Sequence, residues 1–413
     1  MIKYHKMLTQ IMRSFVESQD VGLLWQIDYP TIRTKHTIKF VFMLALCIVD
    51  MKGGKELCGQ YGNNNKVKRP CISCYCPTDE LDNPNQRCKP IIAKDFEKRI
   101  LQDSFEDLVQ ISQHKVVDNV FFNVQMGGWK YGIWGICPSE ILHQYYEGIV
   151  AYTLQYFTIE ILTTASRKYL DKGVHQLINL CKNQSDRSLP QATYPNGITH
   201  YAKMRGTDKF AALFYLSLYF NTTDSKNMFE ACHSKLTESQ LEQWRYLFER
   251  MLFYHDWVMQ ESFERKDVME KQTKIVQLFR DFKALVKREE GNGLKLPKMH
   301  EFLHACRDIL RHGPARGYDT CPTESNHRPI KRLSQNTQRI HSRFEAQTAA
   351  RMYEHNVIET SFQNAKFPDS FKSKFCKRNH QQSSSRNLID TSKSNSAQGY
   401  YYLKYITQDI TAN

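Results

Sequence analysis

Two short motifs place the strongest constraint on how this 413-residue chain can fold. Cys71 and Cys74 form C-x-x-C, a spacing that lets two thiolates reach one Zn²⁺. His300 and His304 form an i, i+4 pair, expected on one face of a helix. Each pair is half of a tetrahedral structural site, and together they close one at four ligands. A single ion held by both must bring together positions 226 residues apart (300 − 74 = 226). Cys58 and Cys76 are alternative thiolates, either of which could replace one of the four. The N-terminus lacks the continuous apolar core and small-residue cleavage site of a secretory signal, so the chain is expected to stay inside the cell. Twelve cysteines in a reducing compartment point to metal rather than to disulfides.

The histidine pair also reads as something else. H300-E-F-L-H304 is a literal match to the H-E-x-x-H pattern of zinc metallopeptidases, and Glu324 follows twenty residues later (324 − 304 = 20). On that reading His300, His304 and Glu324 hold the zinc, and Glu301 is the general base. Pro297 argues against it, because it places the pair at the very start of its helix. Ser-Asn-His-Arg after Glu324 also lacks the pattern expected around such a ligand. A site closed by two cysteines and two histidines leaves no position for a catalytic water.

The charge is +14 with a pI near 9.1, and the surplus persists into the C-terminal third, which suggests a polyanion such as DNA or RNA as partner. The most apolar run, residues 40–49, is too short to span a membrane, which takes about 20 residues. It is expected to be a buried strand from Ile38 to Val49, ending at Asp50 and a Gly turn. Apolar spacing over residues 5–18 predicts an amphipathic helix. Strong apolar faces from 140, 208 and 241 predict helices whose Trp and Tyr side chains are core. Residues 58–90 read as a Cys-rich knuckle in a loop, and the Ser/Asn/Gln/Lys-rich residues 366–413 as a disordered basic tail.

The order V49-D50-M-K-G-G-K-E-L57-C58, C71-I-S-C74, L142-H143, M299-H300-E-F-L-H304 and E324-S-N-H-R-P-I-K resembles the CACTA/Plavaka-like DDE transposases over roughly residues 8–360. The resemblance implies an α/β RNase H-like catalytic domain interrupted by a large all-α insertion. It divides the chain into 1–57, the N-terminal part of the core with a helix and the strand ending at Asp50; 58–90, the zinc knuckle; 91–298, the helical insertion; 299–365, the His-pair helix and a catalytic helix with Glu324; and the tail 366–413. It implies that Asp50 and Glu324 are catalytic carboxylates holding Mg²⁺ or Mn²⁺ for DNA strand cleavage and transfer, and that one zinc on Cys71, Cys74, His300 and His304 ties the two ends of the insertion together. It further implies a nuclear protein that binds DNA, forms a homo-oligomer when active, and has no membrane partner.

Such chemistry uses three carboxylates around two metal ions. Asp20 and Asp28 are of the right type for the first, but 50 − 28 = 22 residues leave too little chain for the elements expected between the first and second Asp. The chain is therefore expected to resemble a transposase truncated at its N-terminus. Lys331, Arg332, Arg339 and Arg343 recur at spacings that can present a basic helix face to phosphates. Three functions are consistent with these residues: an incomplete DDE transposase, a non-catalytic DNA-binding protein derived from one, and an H-E-x-x-H metallopeptidase.

Overall fold

The computed structural model describes residues 2–29, 34–62, 67–86, 88–115, 118–126, 130–182, 189–190, 192–194, 197–231, 236–321, 334–335, 337 and 343–364. Residues Met1–Pro322 form one compact unit and Thr323–Asn413 another. Most described residues are helical, and the sheet among them is a single two-stranded hairpin.

The predicted N-terminal helix is present as α1, Ile2–Val21. Tyr4, Leu8, Met12, Phe15 and Val16 recur every three or four residues and pack on a core cluster, while Met7 and Ile11 face solvent. Gly22 ends the helix at φ +73°, a left-handed conformation that spares glycine the steric cost other residues carry, and its N–H returns to the Ser18 carbonyl at 2.8 Å. β1 (Leu23–Tyr29) and β2 (Thr34–Phe40) then pair antiparallel, with Asp28 opposite Lys35.

The strand expected to run to Val49 instead stops at Phe40. Residues 41–50 are irregular, and Val41, Phe42 and Met43 are exposed. No third strand among the described residues offers this segment a ladder. It is clipped in place singly, by Leu44 N–H to the Gln125 carbonyl at 3.2 Å and Cys47 N–H to the Ile136 carbonyl at 2.8 Å. The buried Gln19 amide bridges the Phe42 and Gln125 carbonyls at 2.8 and 2.9 Å. Asp50 begins α2, Met51–Leu57, rather than closing a strand.

The first core cluster runs from Leu57 through Cys137 and includes α3 (Ala93–Gln102) and α4 (Phe105–Gln110), with Phe96 set edge-on to the buried Trp134 at 4.8 Å. A second, larger cluster starts at Ile141 and reaches Tyr318. It is built from α5, a continuous helix made of Leu142–Val150, Ala151–Gln155 and Tyr156–Ile161 with wide π-type turns in its first and last stretches, and from α6 (Thr164–Lys182), α7 (Gly206–Phe220), α8 (Ser225–Glu230), α9 (Glu238–Val258) and α10 (Arg265–Leu285). As expected, the aromatic side chains are core: Phe157, Phe220, Trp244 and Phe248 interlock with ring centroids 5.1–5.7 Å apart. Burying each removes roughly 2 kcal/mol worth of apolar surface from water. α9 starts with a capping box in which Thr237 and Gln240 satisfy each other's backbone N–H groups.

The second cluster takes in α11 (Pro297–Phe302) and α12 (Ala305–His312) through Met299, Phe302, Ala305, Cys306 and Ile309. Buried polar bonds fasten α12 and the residues after it to residues 135–140, just before α5. Asp308 accepts from Ser139 N–H at 3.0 Å, Glu140 accepts from the Thr320 hydroxyl at 2.8 Å, and His312 Nε2 lies 3.0 Å from the Gly135 carbonyl oxygen. In the second unit the described residues form α13, Phe344–Asn364, with Arg343 exposed in the turn before it. Glu324, Lys331, Arg332, Arg339 and the tail lie outside the described residues.

Candidate metal centre

The helix expected to carry both histidines is two helices. α11 begins at Pro297, whose missing N–H suits a first turn, and ends at Phe302, while His304 is the residue that opens α12. The bend at Leu303–His304 still leaves the two rings adjacent, with centroids 4.4 Å apart and planes at 84°.

Across from them, the knuckle is held by its own short pairing. Cys74 bridges Pro90, Tyr75 N–H donates to the Lys89 carbonyl at 3.0 Å, and Ile91 N–H donates to the Ser73 carbonyl at 3.1 Å. This pairing presents Cys71 and Cys74 to α11 and α12. Cys74 Sγ lies 3.1 Å from His300 Nε2 and 3.6 Å from His304 Nε2, and Cys71 Sγ lies 3.5 Å from His304 Nε2. A tetrahedral ion with Zn–S of about 2.3 Å and Zn–N of about 2.0–2.1 Å has S···N edges of roughly 3.5 Å. The four ligand atoms, all within 4.8 Å of one another, therefore fit Zn²⁺ in both type and spacing.

Two of the four groups are held in their ligating states, whereas hydrogen bonding with Cys71 and Cys88, and then burial, pushes the Cys74 thiol up. Hydrogen bonding from the Cys74 thiol, joined by His300 and His304, holds Cys71 well below the ordinary thiol range despite its burial. Burial, then the charge of Arg307, pushes His304 down to about 4, which keeps its imidazole neutral. Arg307 braces the knuckle by donating to Ser73 Oγ at 2.9 Å while paired with the buried Asp308, and Ser73 Oγ is itself 3.5 Å from Cys71 Sγ. Arg307, Asp308 and Ser73 had no signature in the sequence, since each acts only through the folded contact.

Cys58, an alternative thiolate by sequence, is fully buried in the first core cluster with its Sγ 3.8 Å from the Ile133 carbonyl, and it joins no ligand group among the described residues. Cys76, the other alternative, does join one, with Cys88 and His300. Glu301 is 5% exposed, and burial followed by the charge of Cys71 pushes its carboxyl up to about 8. It faces the equally buried Lys55 of α2. Neither residue has the open approach that a general base needs toward a peptide substrate.

Asp50 is partly exposed, and its Oδ1 accepts from Gly53 N–H at 2.6 Å as the N-cap of α2. Among the described residues no group of metal ligands contains Asp50 or Asp20. No helix of the described residues is long and apolar enough to cross a membrane. No protein-family model matches the chain, and no curated protein matches it either.

Proposed function

We propose that this chain is a zinc-clasped DNA-binding protein of CACTA/Plavaka-like DDE transposase descent that acts in the nucleus. One observation carries the reading. The two motifs that the resemblance joins through a single zinc, Cys71/Cys74 and His300/His304, meet with S···N spacings suited to that ion although 226 residues of chain separate Cys74 from His300. The zinc acts structurally, since four protein ligands leave no place for a water or substrate.

In this reading Asp50 and Glu324 supply two of the carboxylates that position Mg²⁺ or Mn²⁺ for DNA strand cleavage and transfer, within the RNase H-like domain that the resemblance implies. The ions activate the attacking water or 3′-hydroxyl and stabilise the leaving oxygen. A third carboxylate is required, and none joins Asp50 among the described residues. Lys331, Arg332, Arg339 and Arg343 hold phosphates, and the active form is a homo-oligomer. The second reading, a non-catalytic DNA-binding descendant, is favoured by the engagement of Asp50 as a helix cap. The metallopeptidase reading has the closed ligand set and the burial of Glu301 against it.

The test is a DNA-nicking assay with Mg²⁺ or Mn²⁺ on the full chain beside Asp50→Ala and Glu324→Ala, with DNA binding followed at several salt concentrations. Nicking lost in both variants supports the enzyme. Salt-sensitive binding without nicking supports the non-catalytic form. Absence of both would sink the proposal.

A further inference from the structure

We propose that Cys76, Cys88 and His300 form a second set of zinc ligands overlapping the first, so that one ion can be held in either of two positions. The proposal rests on the zinc reading above and goes beyond its four ligands.

The ligand atoms of Cys76, Cys88 and His300 lie within 4.8 Å of one another, as those of the first set do. Backbone pairing creates this juxtaposition. The antiparallel bridge between Cys74 and Pro90, continued by the Tyr75 to Lys89 hydrogen bond, brings Cys76 opposite Cys88 two residues further along. Cross-strand neighbours of this kind have Cβ atoms about 5 Å apart. Cys76 is fully buried and Cys88 half-buried, so the pair extends the centre outward from His300 toward solvent.

His300 is shared by both sets, and it differs from an ordinary zinc histidine. A ligating histidine normally donates its other ring N–H to a carboxylate or carbonyl, which fixes the ring. His300 is 2% exposed, and its Nδ1 has no hydrogen-bond partner. The Nε2 contact with Cys74 Sγ at 3.1 Å holds the ring on the Cys71/Cys74 side, with no second hydrogen bond from Nδ1 to fix it, so a modest turn can serve Cys76 and Cys88 instead. Two ions at once would need the ring to lose its second proton and bridge them as an imidazolate, which is costly at neutral pH. The two sets are therefore alternatives for one ion. The half-buried Cys88 gives that ion an entry route, and the second set can hold it when a ligand exclusive to the first is lost.

The experiment measures zinc per chain by mass spectrometry on full-length protein purified under reducing conditions, together with alkylation of each cysteine by N-ethylmaleimide. Wild type is expected to hold one zinc, with Cys71 and Cys74 protected and Cys88 reactive; Cys88→Ser is expected to match it in zinc content. Cys71→Ser and His304→Gln, each lacking a ligand exclusive to the first set, are expected to keep zinc and to gain protection at Cys88. The double variant Cys71→Ser/Cys88→Ser is expected to lose the ion. Loss of zinc from both Cys71→Ser and His304→Gln, folded or not, overturns the proposal. So does zinc retained in the double variant, a Cys76–Cys88 disulfide in the reduced protein, or two zinc ions in wild type. Zinc-free wild type would instead remove the metal centre as a whole, a result distinct from loss in the variants alone.

Discussion

Cys74 Sγ and His300 Nε2 lie 3.1 Å apart although 226 residues separate them in the chain. An ion at this junction closes a very long loop, and such closure constrains the unfolded chain as well as the folded one. Structural zinc sites contribute their binding energy directly to folding, on the order of 10 kcal/mol in small zinc domains, although here two apolar clusters share the task. His300 belongs to both ligand sets, so His300→Ala is expected to remove the zinc and lower Tm by on the order of 10 °C. Elemental analysis and a thermal melt check this, and an unchanged zinc content would refute the assignment of His300.

The Asp50 carboxylate accepts the Gly53 N–H at 2.6 Å and so has a structural task whatever its chemical one. Substituting an N-cap by Ala costs about 1 kcal/mol, while Asn caps about as well as Asp. Asp50→Ala is therefore expected to lower stability by about 1 kcal/mol and Asp50→Asn to leave it nearly unchanged. Catalysis would respond differently, because Asn cannot replace a carboxylate on Mg²⁺. Denaturant melts alongside nicking assays separate the roles: a stable Asp50→Asn that still nicks DNA would exclude Asp50 as a metal ligand.

How much of this was legible in the sequence depended on how local each signal was. The 3.6-residue period of α1 and the aromatic faces of α5, α7 and α9 are local, and the helices form where that period predicts. The four residues that could hold a zinc ion were legible because C-x-x-C and the histidine pair each encode half of a coordination sphere. The break at Leu303 was not, because Pro297 marks where a helix starts and nothing in H-E-F-L-H marks where one stops. Residues 41–49 look like a strand by composition, but a strand needs a neighbour, and the described residues supply single clips at Phe42, Leu44 and Cys47 rather than a ladder. Cys88 escaped notice because its spacing from Cys76 fits no common motif; only the knuckle's pairing brings the two together. Lys55 and Glu301 are 246 residues apart (301 − 55 = 246), and no sequence pattern announces that the fold buries the two close enough for their charges to act on each other.

His255 gives a pH dependence separate from the metal centre. Its ring stacks on Phe210 at 3.6 Å, lies 2.9 Å from the Tyr146 hydroxyl and is near the Tyr145 ring; burial pushes its pKa down from 6.5 to about 4. Because the folded value lies below the unfolded one, the neutral ring contributes stability that is fully present above about pH 6.5. That stability is lost as the pH falls toward 4, since the unfolded chain then binds the proton that the fold resists. The loss is on the order of 2 kcal/mol once partial exposure is allowed for. His255→Gln should flatten this part of the stability profile between pH 6.5 and 4 in urea melts, whereas an unchanged slope would show that His255 does not titrate in this way.

Gly173 tests the packing of α6 against α7. A Cβ at this position would lie 2.0 Å from Cε2 of Tyr219 and 2.6 Å from its Cδ2, far inside van der Waals contact. The Tyr219 ring is 2% exposed and its hydroxyl donates to the Asp224 carbonyl at 3.1 Å, so the ring cannot swing away cheaply. In an exposed helix Gly→Ala stabilises by about 1 kcal/mol, whereas forcing an extra methyl into a filled core costs about 1–3 kcal/mol. The clash is severe enough for the second effect to win, and Gly173→Ala is expected to destabilise the protein by about 1–2 kcal/mol. Adding Tyr219→Leu makes room for the methyl, so the double variant should lose less stability than the two single losses combined. A Gly173→Ala variant as stable as wild type, or strict additivity in the double variant, would contradict the close approach of the two helices.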